Sequence, residues 1–228
     1  MGVLYWSVAP LPLPEVIPSL RAYLESAFPL DENRAYLDAL TRPSLPSRVA
    51  VARLCGLSLL PPLLARAGIS SDSVRLGRDE HGRPYGKSDM SGASPFDFNI
   101  SHSADHAACA LLTGGGRVGI DIEESIPQKR ALPLIRRYCT EGERHLLRAL
   151  TDTESAVFTR IWTIRESLCK QDGRGMPLRC DASRIPDGVT IRSGLLGERG
   201  TRITLCYPIG TVFCEAAHES LAETVVWE

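Results

Sequence analysis

The segment Arg117-Val118-Gly119-Ile120-Asp121-Ile122-Glu123 alternates with the two-residue period of a β-strand, so Val118, Ile120 and Ile122 take one face and Asp121 and Glu123 the other. Carboxylates two residues apart on a strand stand about 6.6 Å apart at Cα and can bracket one hard cation through oxygen ligands. Taken alone, the pair reads as the solvated face of an edge strand, which is what most such pairs are. A helix predicted from Thr153 to Lys170 bears on that choice. Phe158, Ile161, Ile164 and Leu168 form its apolar stripe, and Trp162, Glu166 and Lys170 follow at i, i+4 and i+8 on a neighbouring face. A Glu four residues before a Lys is ordinarily an exposed ion pair worth about 0.2–0.5 kcal/mol. If Glu166 instead lies beside Asp121 and Glu123, each carboxylate pair at about 4 Å costs roughly 4 kcal/mol at an effective dielectric of about 20, and a cation has to be present. Oxygen-only ligands select magnesium or manganese over zinc.

Phe98-Asn99-Ile100-Ser101-His102-Ser103 sets an imidazole between hydroxyls. Such a stretch is a turn with hydroxyl caps or, using its backbone N–H groups as well, a seat for phosphate. Arg83, in Gly82-Arg83-Pro84, and Arg48, on the first long helix, are cationic candidates for the same anion. The cysteines Cys55, Cys109, Cys139, Cys169, Cys180, Cys206 and Cys214 form neither a C-x-x-C pair nor a zinc-ligand spacing, and read as reduced thiols.

These residues need elements to carry them. Helical spacing runs over Pro18–Ala27, Asp31–Leu40 and Pro46–Leu60, the last ended or kinked by Pro61-Pro62. Short strand and turn signals fill Val74–Lys87. His106–Leu112 and Arg117–Glu123, flanking Thr113-Gly114-Gly115-Gly116, predict a β-hairpin. Thr140-x-x-Glu143 and Thr151-x-x-Glu154 are capping boxes that open two helices. Strand-like stretches follow near Val189–Arg192, Ile203–Tyr207 and Val212–Ala217.

Composition narrows what this machinery serves. The 228 residues are 43% hydrophobic and 23% charged, which excludes a mainly disordered chain. With 26 Lys+Arg against 27 Asp+Glu, no whole-molecule field draws the chain to nucleic acid or acidic lipid, so anion recognition has to be local. Mean hydropathy is −0.06 and the apolar stretches are cut by proline or charge, so no stretch is expected to reach the roughly 20 apolar residues of a membrane span. A start broken by Pro10, Pro12 and Pro14 is a poor signal peptide, and a cytoplasmic protein is the expectation.

Taken in order, G-R-P, F-N-I-S-H-S, G-I-D-I-E and W-T-I-R-E-S-L-C-K followed by Q-D-G-R-G resemble the motif series of the Sfp-type 4′-phosphopantetheinyl transferases, from about Gly82 to Gly175 and more weakly in Cys214-Glu215-Ala216-Ala217. The resemblance implies transfer of the phosphopantetheine arm of coenzyme A to a serine of an apo acyl or peptidyl carrier protein, with release of 3′,5′-ADP. It also implies that Asp121, Glu123 and Glu166 hold Mg2+ (or Mn2+), that Glu166 is the general base, and that Lys170 neutralises or protonates the leaving phosphate. Ser101 and His102 would contact coenzyme A phosphates, Arg83 the 3′-phosphate, and Arg48 would serve as the family's arginine on the first long helix. Arg83 and Arg165 stand where the family has lysines, and Val49 where it has a hydroxyl residue. Glu143 matches a family position and also has its capping box to account for it. Lys129, Arg130, Arg136 and Arg137 lie where the family docks its carrier, and suit a solvated helix face equally well.

The implied fold is α+β: two similar subdomains, each a small antiparallel sheet with packed helices, divided as 1–115 and 116–228, with coenzyme A between them. The expected partners are a carrier protein and coenzyme A, with neither nucleic acid nor membrane, and the expected state is a monomer. Two rival readings are another magnesium-dependent enzyme of nucleotide pyrophosphates and a non-catalytic coenzyme A or carrier-binding protein. Intact Asp121, Glu123, Glu166 and Lys170 argue against the second, because binding alone requires no base.

Overall fold

Ala107 to Leu112 is an unbroken apolar run, the mark of a strand buried on both faces. In the structure, a computed structural model describing residues 1–88, 95–149, 154–174, 180–196, 200–214 and 222–227, that run lies inside a four-stranded sheet. The chain begins with β1 (Val3–Pro10) and four helices, α1 (Ile17–Ala27), α2 (Asn33–Leu40), α3 (Ser47–Ser58) and α4 (Leu60–Arg66). A small hairpin of β2 (Val74–Arg78) and β3 (Pro84–Ser88) precedes β4 (Phe96–His102), β5 (His106–Thr113) and β6 (Gly119–Glu123). Three helices follow, α5 (Gln128–Tyr138), α6 (Glu141–Ala149) and α7 (Glu154–Asp172). The described elements end with β7 (Val189–Leu196), β8 (Thr201–Pro208), β9 (Val212–Phe213) and β10 (Ala222–Trp227). The strands make one sheet in the order β4-β5-β1-β9 and a second in the order β10-β7-β8-β6.

The α+β class holds, with small sheets and packed helices, and the layers follow from which side chains alternate where. Cys109 and Leu111 of β5 and Phe98 of β4 face Leu24, Leu54, Leu57, Leu60 and Leu64 of the first helices. Leu4, Trp6, Ala108, Ala110 and Leu112, on the opposite face of the same sheet, pack against Val118, Ile120, Ile122, Ile203, Leu205 and Tyr207 of the second. Behind that second sheet, Ile164 and Leu168 of α7 cover Ile191 and Cys206.

Two expectations need correction. The strands flanking Gly114–Gly116 do not form a hairpin. β5 is already paired on both sides, with β4 and β1, while β6 pairs with β8 in the other sheet. Gly114, Gly115 and Gly116 all have positive φ (82°, 96° and 91°), a run only glycine adopts readily, and it carries the chain from one sheet to the other. The real hairpin is β4–β5, closed where the Ser103 N–H donates to the His106 carbonyl at 2.8 Å. The helical run does break at Pro61-Pro62 as expected: α3 ends at Ser58 and α4 begins at Leu60, with the prolines in its first turn, where missing N–H groups cost nothing. The second correction is that Ser47–Arg66 is long and apolar enough by length and composition to cross a membrane, though 61% of its apolar 18-residue window is buried inside the protein. The box at Thr151-x-x-Glu154 and the strand at Glu215–Ala217 lie outside the described residues in whole or part.

Candidate active site

β6 and α7 meet at Gly119, where a Cβ would collide with the Ser167 carbonyl, so only glycine lets the helix backbone lie on the strand. Two residues on, Asp121 comes up beneath the same helix, 5% exposed. Phe158, Ile161, Ile164 and Leu168 are all buried, which fixes the rotation of α7 and brings Glu166 and Lys170 to Asp121. Lys170 Nζ donates to Asp121 Oδ1 (2.7 Å), Ser101 Oγ (2.8 Å) and the Ile120 carbonyl (3.1 Å), so its three donors are engaged. Ser101 Oγ in turn donates to Asp121 Oδ1 at 2.8 Å.

The second Asp121 oxygen, Oδ2, is buried with no partner among the described residues. Burial, then the Asp121 charge, pushes the Glu123 carboxyl up to about 7. Burial, then Asp121, also raises Glu166, against the opposing charges of Lys170 and Arg165. An orphaned buried oxygen flanked by two carboxyls that resist ionising is what a hard cation relieves, so the donor chemistry fits magnesium. Among the described residues no three His, Cys, Asp or Glu side chains are gathered into a ready cage. The Lys170 ammonium is the cation seated on Asp121 here.

The F-N-I-S-H motif has a structural job in the fold. Asp97, Asn99 and Ser101 alternate along β4 and accept the N–H groups of Val118 (2.7 Å), Ile120 (3.2 Å) and Ile122 (3.3 Å). Side chains thus cap the outer edge of β6 and join the two sheets. Ser101, 5% exposed with its hydroxyl engaged by Asp121, Lys170 and Ile122, orders the site from within. Arg83, expected at the 3′-phosphate, is engaged within the protein. It is 9% exposed and forks onto Asp97 at 2.9 and 2.7 Å, while its remaining N–H groups serve the carbonyls of Pro84, Phe98, Val118 and Lys170. Its donors are thus engaged inside the protein, and binding a 3′-phosphate would require one of them to be released.

The turn after His102 also differs from a vacant phosphate seat. Glu124 fills it, accepting from Ser103 Oγ (2.6 Å) and from the N–H groups of Ala104 (2.9 Å) and Asp105 (3.1 Å). Burial acts to raise the Glu124 carboxyl, but these hydrogen bonds hold it below its ordinary range. Arg48, exposed on α3, donates to the Ala104 carbonyl at 2.7 Å and lines a cavity of about 540 Å3 with Pro10–Pro14, Val51 and Ala104–His106. His102 is exposed at the end of β4. Partial desolvation, then Lys170 and Arg53, lowers its pKa, against the pull of Asp121. Sequence reading missed Asp97, Asn99 and Glu124. The polar-apolar alternation from Phe96 to Ser101 was the available signal for the first two.

Arg165, beside Glu166, is clamped as well. Its Nη1 donates to both oxygens of the fully buried Glu143 (2.8 and 2.9 Å) and to the Cys180 carbonyl, and Nη2 to the Tyr138 carbonyl. Glu143 keeps its capping-box role too, accepting from the Thr140 N–H at 2.8 Å. On α5, Lys129, Arg130, Arg136 and Arg137 are all exposed.

Residues 117–205, which hold β6, α7 and most of β8, match the model of the 4'-phosphopantetheinyl transferase superfamily, and residues 48–113 match that of the 4'-phosphopantetheinyl transferase N-terminal region. The mouse L-aminoadipate-semialdehyde dehydrogenase-phosphopantetheinyl transferase is 34% identical over 139 residues, 57% of this chain and 45% of that protein. The 4'-phosphopantetheinyl transferase Sfp of Bacillus subtilis strain 168 is 32% identical over 135 residues (56% and 57%), and HetI of Nostoc is 32% identical over 110 residues (48% and 46%). The chain thus spans about half the length of the curated relatives it matches. With two matches in chain order, meeting at the glycine link between the sheets and together containing the Asp121–Lys170 site, the chain belongs to the Sfp-type 4′-phosphopantetheinyl transferase family.

Proposed function

We propose that this protein transfers the 4′-phosphopantetheine arm of coenzyme A to a serine hydroxyl of an apo acyl or peptidyl carrier protein, in a magnesium-dependent reaction. The observation that carries the reading is the half-satisfied Asp121 carboxylate, held by Lys170 and Ser101 on one oxygen and orphaned on the other, with Glu123 and Glu166 beside it. Asp121, Glu123 and Glu166 would hold the metal, and a metal there would supply charge neutralisation on a pyrophosphate.

Glu166, its pKa raised by burial and by Asp121, is suited to take the proton from the carrier serine directly or through water. The serine oxygen forms a new bond to the phosphorus bearing the pantetheine arm, and the bond from that phosphorus to the bridging oxygen breaks. 3′,5′-ADP leaves, and Lys170, on trading one of its present contacts, donates to the departing phosphate. Arg48, Ser101 and His102 and, on releasing a present contact, Arg83 are the further candidates for coenzyme A phosphates, and the exposed cations of α5 offer an acidic carrier a docking face. The division at 115/116, a monomeric state and a cytoplasmic location belong to the same reading.

The test is incubation with coenzyme A, magnesium and a panel of apo carrier proteins, read by intact mass. A carrier heavier by one phosphopantetheine arm is the expected result. Folded protein that binds coenzyme A and loads no carrier overturns the transferase reading.

A further inference from the structure

β6 ends on two glutamates in succession, Glu123 and Glu124, and the second turns away from Asp121 to the four residues that close the β4–β5 hairpin. Glu124 Oε1 accepts from Ser103 Oγ (2.6 Å) and from the Asp105 N–H (3.1 Å), and lies 3.5 Å from His106 Nδ1. Its Oε2 accepts from the Ala104 N–H at 2.9 Å. Charge-assisted hydrogen bonds of this kind are the strong ones, and here they commit both oxygens of a half-buried carboxylate to one turn. The same turn holds two of the groups suited to coenzyme A phosphates. His102 directly precedes it on β4, and Arg48 reaches it from α3 at two points, donating from Nη2 to the Ala104 carbonyl (2.7 Å) and lying 3.7 Å from Asp105 Oδ1. Ala104 is therefore gripped on both sides, at its N–H by Glu124 and at its carbonyl by Arg48. An exposed arginine loses rotamer freedom when a ligand fixes it, and a turn that already orients it removes part of that cost.

We propose that Glu124 is a positioning residue for coenzyme A: it locks the turn at residues 103–106 and, through that turn, sets Arg48 and His102 for the phosphates. The role rests on the transferase reading given above. Its sign is opposite to that of the charge alone. A carboxylate near an anionic ligand repels it, so removing one by charge alone tightens binding. A carboxylate that orders the binding groups does the reverse, because a loosened turn has to be ordered again each time the ligand binds.

The probe is coenzyme A, titrated calorimetrically into the full-length chain. Glu124→Ala is expected to bind it about 10-fold more weakly than the wild type, the equivalent of about one hydrogen bond to a charged group. Glu124→Gln, neutral but still able to accept through one oxygen, is expected to bind about 3-fold more weakly, and it carries the comparison if Glu124→Ala does not fold. In carrier loading the KM for coenzyme A rises by the same factors while kcat stays within about twofold. Ser103→Ala added to Glu124→Ala weakens binding no further, since both act through one turn. Amide exchange at Ala104 and Asp105 quickens in Glu124→Ala, while that of buried β5 is unchanged. Tighter binding by the Glu124 variants, binding indistinguishable from the wild type, or a fall in kcat at unchanged KM overturns this role and leaves the transferase reading standing. Wild-type protein that binds no coenzyme A overturns both.

Discussion

The Asp121 carboxylate is the residue on which the site turns, because its two oxygens are treated differently. Oδ1 is shared by Lys170 and Ser101, and Oδ2 is buried and unmatched. A ligand that binds only the folded state raises stability by mass action, about 2.7 kcal/mol at 100-fold over its Kd. Magnesium is therefore expected to raise the melting temperature relative to EDTA, and Asp121→Asn to abolish that rise, as measured by thermal melts without any turnover. Glu166→Gln is expected to leave coenzyme A binding within about twofold while lowering transfer by roughly 10²–10⁴-fold, the usual range for a general base. Calorimetry and carrier loading check the two halves, and retained turnover removes Glu166 as base. His102 offers a pH test. Its folded pKa lies below the ordinary 6.5, so the folded state prefers the neutral ring. That contribution is complete above about 6.5 and is lost as pH falls through the folded value, because the unfolded chain then binds the extra proton. His102→Gln is expected to flatten the acid limb of a urea-midpoint series between about pH 7.5 and 5.

At the scale of elements, buried charge does the stapling. Arg83 ties the β2–β3 hairpin to β4, to β6 and to the end of α7, and truncating it leaves Asp97 buried without its partner. Arg83→Ala is expected to cost about 3–5 kcal/mol in urea unfolding. It should weaken coenzyme A and 3′-dephospho coenzyme A equally, whereas a loss confined to coenzyme A would restore Arg83 as a phosphate reader. Arg165 and Glu143 do the same between α6, α7 and the chain at Cys180–Ala182. The box at Thr140 and Glu143 is local and shows in sequence, since its partners lie three residues apart. Its second role does not, because Arg165 is 22 residues away. The alternation that marked Asp121 and Glu123 was equally local, and β6 does place Asp121 as read. The hairpin reading of β5 and β6 failed because the better partners of both strands are distant in sequence.

For the whole molecule, one core lies between the two sheets, with Leu4 and Trp6 of β1 against Ile120 and Ile203 of the second sheet. β9 returns from the far end of the chain to pair with β1. Halves joined in this way are expected to unfold together, with tryptophan fluorescence and far-UV circular dichroism giving coincident urea transitions. Ile120→Ala should shift both by about 2–5 kcal/mol. Two separated transitions would show that 1–115 and 116–228 are independent. By itself the sequence determined what repeats over a few residues: the period of β6, the apolar stripe of α7, the capping box, and the order of motifs that marks the family. Tertiary structure alone decided which charges are spent inside the protein, sending Arg83 to Asp97, Glu124 to the turn after His102, and leaving Asp121 half satisfied. Periodicity follows from backbone geometry and is written locally, whereas a charge is consumed or left available only by what long-range packing buries beside it.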